Sequence, residues 1–224
     1  MFFISEVSSN HSQKIERALE FIDQSAAAGC DAVKFQLFKA EALYPNKDNL
    51  YRIFKDIELD SEWIPKLCKF CADLKIDFLA SAFDPISFEI LEKNNVIAHK
   101  IASSETIDLR FISKVARSGK PILISTGMCD FVDIEEALNI CYEAKNKNIC
   151  IMQCGSNYPL EHKDTNLNVI SSFINRYDHL TGFSDHTLDN TAAITAIGLG
   201  SRIFEKHITL DKKSKGPDHF YALE

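Results

Sequence analysis

Gly182-Phe183-Ser184-Asp185-His186 and Arg202-Ile203-Phe204-Glu205-Lys206-His207 are each a short apolar run that turns polar and ends in a histidine. A helical pattern over 191–199 separates them, so they read as neighbouring parallel strands joined by a crossover helix. Two histidines at the ends of such strands, 21 residues apart, can converge on one divalent metal ion. A single strand-end histidine is as readily a cap on a backbone group. The pair, set beside the polar strand ends described below, favours a site.

The same alternation runs back to the start of the chain. Strands are expected at 2–7, 32–38, 77–81, 99–103, 121–126, 149–154, 181–184 and 203–207. Between them, apolar residues recur at helical spacing: Ile15, Leu19, Ile22 and Ala26 up to Gly29, a run capped by Ser61 to about Leu74, Ile86 to Leu91, and Phe111, Ile112 and Val115 up to Gly119. Asp130 opens a helix carrying Ile134, Leu138 and Cys141, and further helices span Leu167 to Ile174 and Thr191 to Leu199. Residues 40–60 form a long polar connection with a short helix near Leu50 to Phe54, and long connections in compact domains are usually functional. Eight strands alternating with seven helices predict an α/β fold, a (β/α)8 TIM barrel in one domain over 1–224. An open doubly wound sheet would need a glycine-rich first turn, which the sequence lacks. The sequence reaches Glu224 without an eighth helix. The groove between the first and seventh helices is therefore expected to expose apolar surface, through truncation or for a partner chain to cover.

With 224 residues and 46% hydrophobic content, the chain can bury one large core. A net charge of −7 argues against a nucleic-acid partner, which would bring a basic stripe. No apolar run approaches the ~18 residues of a membrane span. The start, Met1-Phe2-Phe3-Ile4-Ser5-Glu6, does not read as a signal peptide. Seven cysteines, mostly inside apolar segments, fit free thiols in a reducing cytoplasm. Cys68-x-x-Cys71 suggests zinc or redox chemistry only weakly, because it lies in a helical pattern with no second ligand pair.

Parallel strands buried on both faces should be apolar throughout. Here they finish on groups that are costly to bury unpaired: Glu6, Lys34 and Gln36, Ser81, Lys100 and Ser103, Ser125, Ser156 and Tyr158, Ser184 and His186, and His207. In a barrel these ends gather on one face, where active sites of the fold lie. Lys34 and Gln36, two apart, point to the same side of their strand. Two lysines and several hydroxyls would form a locally positive cradle for an anion inside an acidic protein. Any one lysine or serine here could equally snorkel to solvent or start a turn; their recurrence around the ring is the signal. Glu105 is either a surface acid or a general acid/base. Asp218 and His219 follow Gly216-Pro217 and are either an ordinary turn or part of the site.

Taken together, several stretches resemble the sialic acid synthase family, the barrel enzymes that make nonulosonic acids. They are Ser5-Glu6-Val7-x-x-Asn10-His11, Asp31 to Gln36, Lys100-Ile101-Ala102-Ser103-x-Glu105, Gly119 to Met128, Tyr158-Pro159, Gly182 to Leu188, Glu205-Lys206-His207 and Gly216 to His219. The resemblance implies condensation of phosphoenolpyruvate with an open-chain N-acetylated amino sugar such as N-acetylmannosamine, releasing phosphate by C–O cleavage. It implies a divalent ion on His186 and His207, manganese first, with magnesium or cobalt as alternatives. Lys34, Ser81, Lys100, Ser103, Ser125 and Ser184 match groups that hold phosphate and carboxylate. Glu6, Gln36 and Tyr158 match sugar-binding positions, and Glu105, Asp218 and His207 match catalytic ones. Ser81-Ala82-Phe83 replaces the family's Thr-Pro-Phe, and Gly155-Ser156-Asn157 leaves its phosphate-binding amide unassigned. The family's antifreeze-like domain, which donates an arginine across a homodimer, is expected to be absent. Two further readings stand beside this one: a 3-deoxy-ulosonate phosphate synthase, which would need cations for a second phosphate, and a barrel that binds without turnover.

Overall fold

In a computed structural model of the chain, residues 1–44, 46 and 48–224 are described. Pro45 and Lys47, within the connection read over 40–60, lie outside the described residues. Runs rich in branched and aromatic residues become strands because those side chains pack on a pleated surface. The strands are β1 (Phe2–Ser8), β2 (Ala32–Leu37), β3 (Asp77–Ala82), β4 (His99–Ile101), β5 (Ile122–Ser125), β6 (Ile149–Cys154), β7 (Leu180–Asp185) and β8 (Ile203–His207). Each pairs in parallel with its neighbour in chain order, and β8 closes on β1 from Phe2–Ile203 to Glu6–His207. The eight-stranded barrel expected from the strand–helix alternation is the fold observed.

Outside the barrel run α1 (Ile15–Ala27), α2 (Ala40–Leu43), α3 (Asn49–Ile57), α4 (Ile64–Leu74), α5 (Pro85–Lys93), α6 (Leu109–Ala116), α7 (Phe131–Glu143), α8 (Asn168–Arg176) and α9 (Thr191–Gly198). Aspartates start many of them: Asp84, Asp108 and Asp130 each accept two backbone N–H groups of the first turn. Gly29, at φ +80°, ends α1 where a left-handed residue is needed. Two details differ from the sequence reading. Ser61 is not the cap of α4: the Asp60 carboxylate accepts from Glu62 N at 3.0 Å, and a 3-10 turn over Ser61–Trp63 precedes α4. A charged acceptor complements the positive helix end better than the neighbouring hydroxyl. The connection over 40–60 holds two helices rather than one, and α3 has no buried residue.

Alternation along the strands divides the side chains into two cores. Facing outward, Val33, Phe35, Phe78, Ile101, Ile124 and Ile151 pack with Phe21, Ile22, Leu67 and Leu91 of the helices. Facing inward, Ile4, Ala32, Leu79, Leu123, Cys150 and Met152 plug one end of the barrel. Gly182 leaves room for that plug, since a Cβ there would stand 3.0 Å from both Ile203 O and Met152 Cγ. The plug forces every inward polar group beyond it towards the other mouth, which is where the strands end.

All seven cysteines are free. Burial pushes the Cys68 and Cys71 thiols up to about 11 and 12, so the pair packs rather than reacts. Among the described residues no helix follows β8, and Phe3, on β1, is 43% exposed. None of the described helices is long and apolar enough to cross a membrane.

Candidate active site

One layer above the apolar plug sit four charges: Glu6 of β1, Lys34 of β2, Lys100 of β4 and Glu205 of β8, all buried. Lys100 Nζ donates to both Glu205 oxygens, at 2.9 and 3.0 Å. Lys34 Nζ pairs with Glu6, donates to Ser81 Oγ at 3.1 Å and stands 3.6 Å from Glu205 Oε2. Ser184 Oγ donates to Glu205 Oε1 at 2.9 Å. Burial alone would raise the Glu205 carboxyl, but Lys100 and Lys34 outweigh it and hold the group well below the usual range. At Glu6 burial wins over Lys34, and the carboxyl is raised to about 7. The two lysines do not form the locally positive cradle expected from sequence. With both carboxylates ionised the four groups sum to zero, because Glu205, in the polar end of its strand, lies between the lysines.

Above this layer is a small cavity of about 50 Å³ lined by Gln36, Ser103, Ser125, Tyr158, His186 and His207 as well as the charged groups. Ser103 Oγ accepts from Gly127 N at 3.0 Å and faces Cys154 Sγ at 3.2 Å, which ties the end of β4 to the loops after β5 and β6. The His186 and His207 ring centroids are 5.5 Å apart. An imidazole nitrogen binds a divalent ion at about 2.1 Å, which sets the centroids of two rings sharing it roughly 4.5–6 Å apart.

The chemistry of both rings suits a metal ligand. Burial, helped at His186 by neighbouring His207, holds His186 at about 3 and His207 at about 4, so both are neutral bases at neutral pH. His186 Nδ1 donates to Gly155 O at 2.7 Å, leaving Nε2 with its lone pair. Tyr221 OH donates to Asp218 Oδ1 at 2.8 Å and can accept only weakly from His207 Nδ1 at 3.4 Å, the same tautomer again. Among the described residues no group of three or more His, Cys, Asp and Glu side chains could hold an ion. These two imidazoles could supply two nitrogen donors to an ion, whose remaining positions would fall to water or substrate oxygens.

The small cavity adjoins a larger one of about 390 Å³, and the two share Gln36, Ala102, Ser103, Tyr158 and His207. Tyr158 lies over His186 with ring centroids 4.1 Å apart. Asp218 reaches the rim and accepts from Ser8 Oγ at 2.7 Å and from Ser9 Oγ at 2.5 Å. Burial would raise its carboxyl, but His207, Ser9, Ser8 and Tyr221 together lower it. Glu105 is set apart from the other expected site residues. It lies in the turn after β4, accepts from Ser104 Oγ at 2.8 Å and lines neither cavity. Burial lifts its carboxyl to about 7. His219 also turns away: its Nδ1 is 2.7 Å from Thr209 Oγ1, outside both cavities.

Two imidazoles, two ammoniums and a ring of hydroxyls thus share one mouth of a closed barrel. The NeuB family matches residues 21–224. The chain belongs to the NeuB family. Aligned over 223 residues, this NeuB barrel is 36% identical to an uncharacterized protein of Methanocaldococcus jannaschii, covering all of this chain and 66% of that one. It is 31% identical to the N,N'-diacetyllegionaminic acid synthase of Legionella pneumophila, over all of this chain and 68% of the relative. It therefore spans about two thirds of the length of the curated relatives it matches. Among solved structures, the N-acetylneuraminic acid synthetase of Leptospira borgpetersenii in complex with citrate superposes with a TM-score of 0.96 at 29% identity, covering all of this chain and 78% of that one.

Proposed function

We propose that this chain is the barrel of a nonulosonic acid synthase. Carbon 3 of phosphoenolpyruvate bonds to the aldehyde carbon of an open-chain N-acetylated amino sugar, and water adds at carbon 2. Phosphate then leaves by C–O cleavage, so one water is consumed and a 2-keto acid remains. The observation that carries this reading is the placing of Lys34, Lys100, His186 and His207 around one small cavity at the strand ends. Lys34 and Lys100, with Ser81, Ser103, Ser125 and Ser184, bind the phosphate and carboxylate of phosphoenolpyruvate. Glu205 and Glu6 hold those ammoniums in place until the anion arrives and competes for them. Gln36, Tyr158 and Asp218 face the wider cavity, where the sugar binds. Asp218, at the rim of the wider cavity, is the carboxylate available for proton transfer, whereas Glu105 lines neither cavity. A divalent ion, manganese or alternatively magnesium or cobalt, would be held by His186 and His207 and polarise the aldehyde as a Lewis acid when bound.

The expected homodimer and cytoplasmic location belong to this proposal, supported by the exposed Phe3 and the seven free thiols. The direct test incubates protein, manganese, phosphoenolpyruvate and N-acetylmannosamine and follows phosphate release. Chelation should abolish turnover; activity that persists in chelator removes the ion from the reaction. In the same protein, His207→Ala should lose manganese affinity by a large factor. Manganese binding as tight as wild type would mean that the ligands lie elsewhere.

A further inference from the structure

The chain beyond β8 folds back onto its own last strand. Thr209 N donates to Leu223 O and Leu223 N donates to His207 O, both at 2.8 Å, so residues 210–222 form a loop with both ends tied to the end of β8. Barrels carry their functional side chains on loops anchored in this way. The tie sets the buried Tyr221 against His207, with ring centroids 5.2 Å apart. The Tyr221 ring also meets Tyr158 at 5.5 Å, and Tyr158 in turn lies over His186. The phenol hydroxyl has two neighbours, Asp218 Oδ1 at 2.8 Å and His207 Nδ1 at 3.4 Å. A hydroxyl has one hydrogen to give. The carboxylate takes it, being both the nearer and the charged acceptor. Asp218 is itself fixed through its other oxygen by Ser8 and Ser9. Towards His207 the phenol therefore offers only lone pairs.

We infer, on the basis of the metal reading of His207 above, that Tyr221 is a positioning residue whose hydroxyl, turned by Asp218, holds His207 in the Nδ1–H tautomer. The Nε2 lone pair is then left for a divalent ion. The two imidazoles are set by different means. At His186 the partner is a backbone carbonyl, Gly155 O at 2.7 Å, which can only accept. At His207 it is a hydroxyl, which could as well donate. A phenol hydrogen given to Nδ1 would put the imidazole proton on Nε2 and close that nitrogen to a metal. Asp218 removes the alternative by holding the phenol hydrogen. Carboxylate, phenol and imidazole thus form one chain from the end of β1 to the end of β8. No sequence pattern singles out Tyr221, because the loop that carries it has no periodicity to place it beside β8.

Tyr221→Phe tests this, because it removes the hydroxyl and keeps the ring that packs on His207 and Tyr158. In metal-free protein, nitrogen NMR of the imidazoles should show His207 as Nδ1–H in wild type and as a mixture with Nε2–H in the variant. His186 should keep its tautomer in both. Manganese affinity, read from the electron paramagnetic resonance of the free ion, should fall by about ten- to a hundredfold in the variant. Phosphoenolpyruvate affinity without metal should stay at the wild-type value. A His207 tautomer that the variant leaves untouched, or manganese affinity equal to wild type, overturns the inference. So does an equal loss of phosphoenolpyruvate affinity, which would make the hydroxyl a general support of the barrel mouth. The metal reading fails by a different result, a wild-type protein that binds no manganese, and the tautomer comparison then decides the role of Tyr221 by itself.

Discussion

Glu205 is 4% exposed and meets two ammonium groups and a hydroxyl. Removing one partner of a buried ionic cluster leaves the others uncompensated, which typically costs about 3–5 kcal/mol. Glu205→Gln should therefore lower the unfolding free energy by that amount, read as a lower urea midpoint at unchanged slope. A midpoint within error of wild type would mean the lysines find other partners. The sequence contained the information to place Glu205 in the site: in Glu205-Lys206-His207, period 2 puts Glu205 on the same face as His207 and turns Lys206 outward, where it pairs with Asp185 at 2.6 Å. What period 2 could not supply was which other strands' charges would lie opposite, because that depends on barrel closure. His11 shows a second kind of buried group. Its Nδ1 accepts from Gln13 N at 3.1 Å, so protonation breaks that bond as well as burying charge. Burial holds it at about 4, below its ordinary value of 6.5. The unfolded chain thus binds more protons between those values, and stability is lost as pH falls from 6.5 towards 4, by about 3 kcal/mol for this group. Thermal melts of His11→Phe across that window should show a shallower acid slope than wild type, and identical slopes would assign the acid sensitivity to the other buried histidines.

At the scale of elements, the site depends on how the loops after β5 and β6 lock against each other. A Cβ on Gly127 would stand 2.8 Å from Cys154 Sγ and 2.9 Å from Cys154 O, and the latter is backbone that cannot swing aside. Gly127 N also donates to Ser103 Oγ, a hydroxyl of the proposed anion site. Gly127→Ala should therefore cost about 1–3 kcal/mol of stability and also weaken phosphoenolpyruvate binding. Loss of stability with unaltered binding would separate the loop's packing from the site. Here sequence was less informative. Strand cores such as Ile122-Leu123-Ile124 declare themselves by composition, but a glycine required by a neighbour 27 positions away does not. The same limit applies to α3. Its helix was foreseen over 50–54, yet its role as an apolar wall of the wider cavity appears only once Phe38 and Phe83, from the ends of two other strands, are seen beside it. Asp60 replaced Ser61 as the cap for a local reason, a single position in the competition between two adjacent acceptors.

Across the whole molecule, charge works against the proposed substrate. The chain carries −7, and phosphoenolpyruvate is an anion. At pH 8, above the value of about 7 for Glu6, both buried carboxylates are ionised and cancel Lys34 and Lys100. A neutral quartet casts little field beyond a few ångströms, so the approach of the anion is governed by the acidic surface. Salt shortens the reach of that surface, to about 10 Å at 0.1 M and about 30 Å at 0.01 M. The association rate of phosphoenolpyruvate with metal-free protein should accordingly rise when ionic strength is raised from about 0.01 M to about 0.1 M, the reverse of the usual behaviour of a basic anion site. Stopped-flow measurements at pH 8 would decide it. A rate that falls with salt means that the lysines project an uncancelled positive field, and that Glu205 and Glu6 do not neutralise them in solution as they do in the fold.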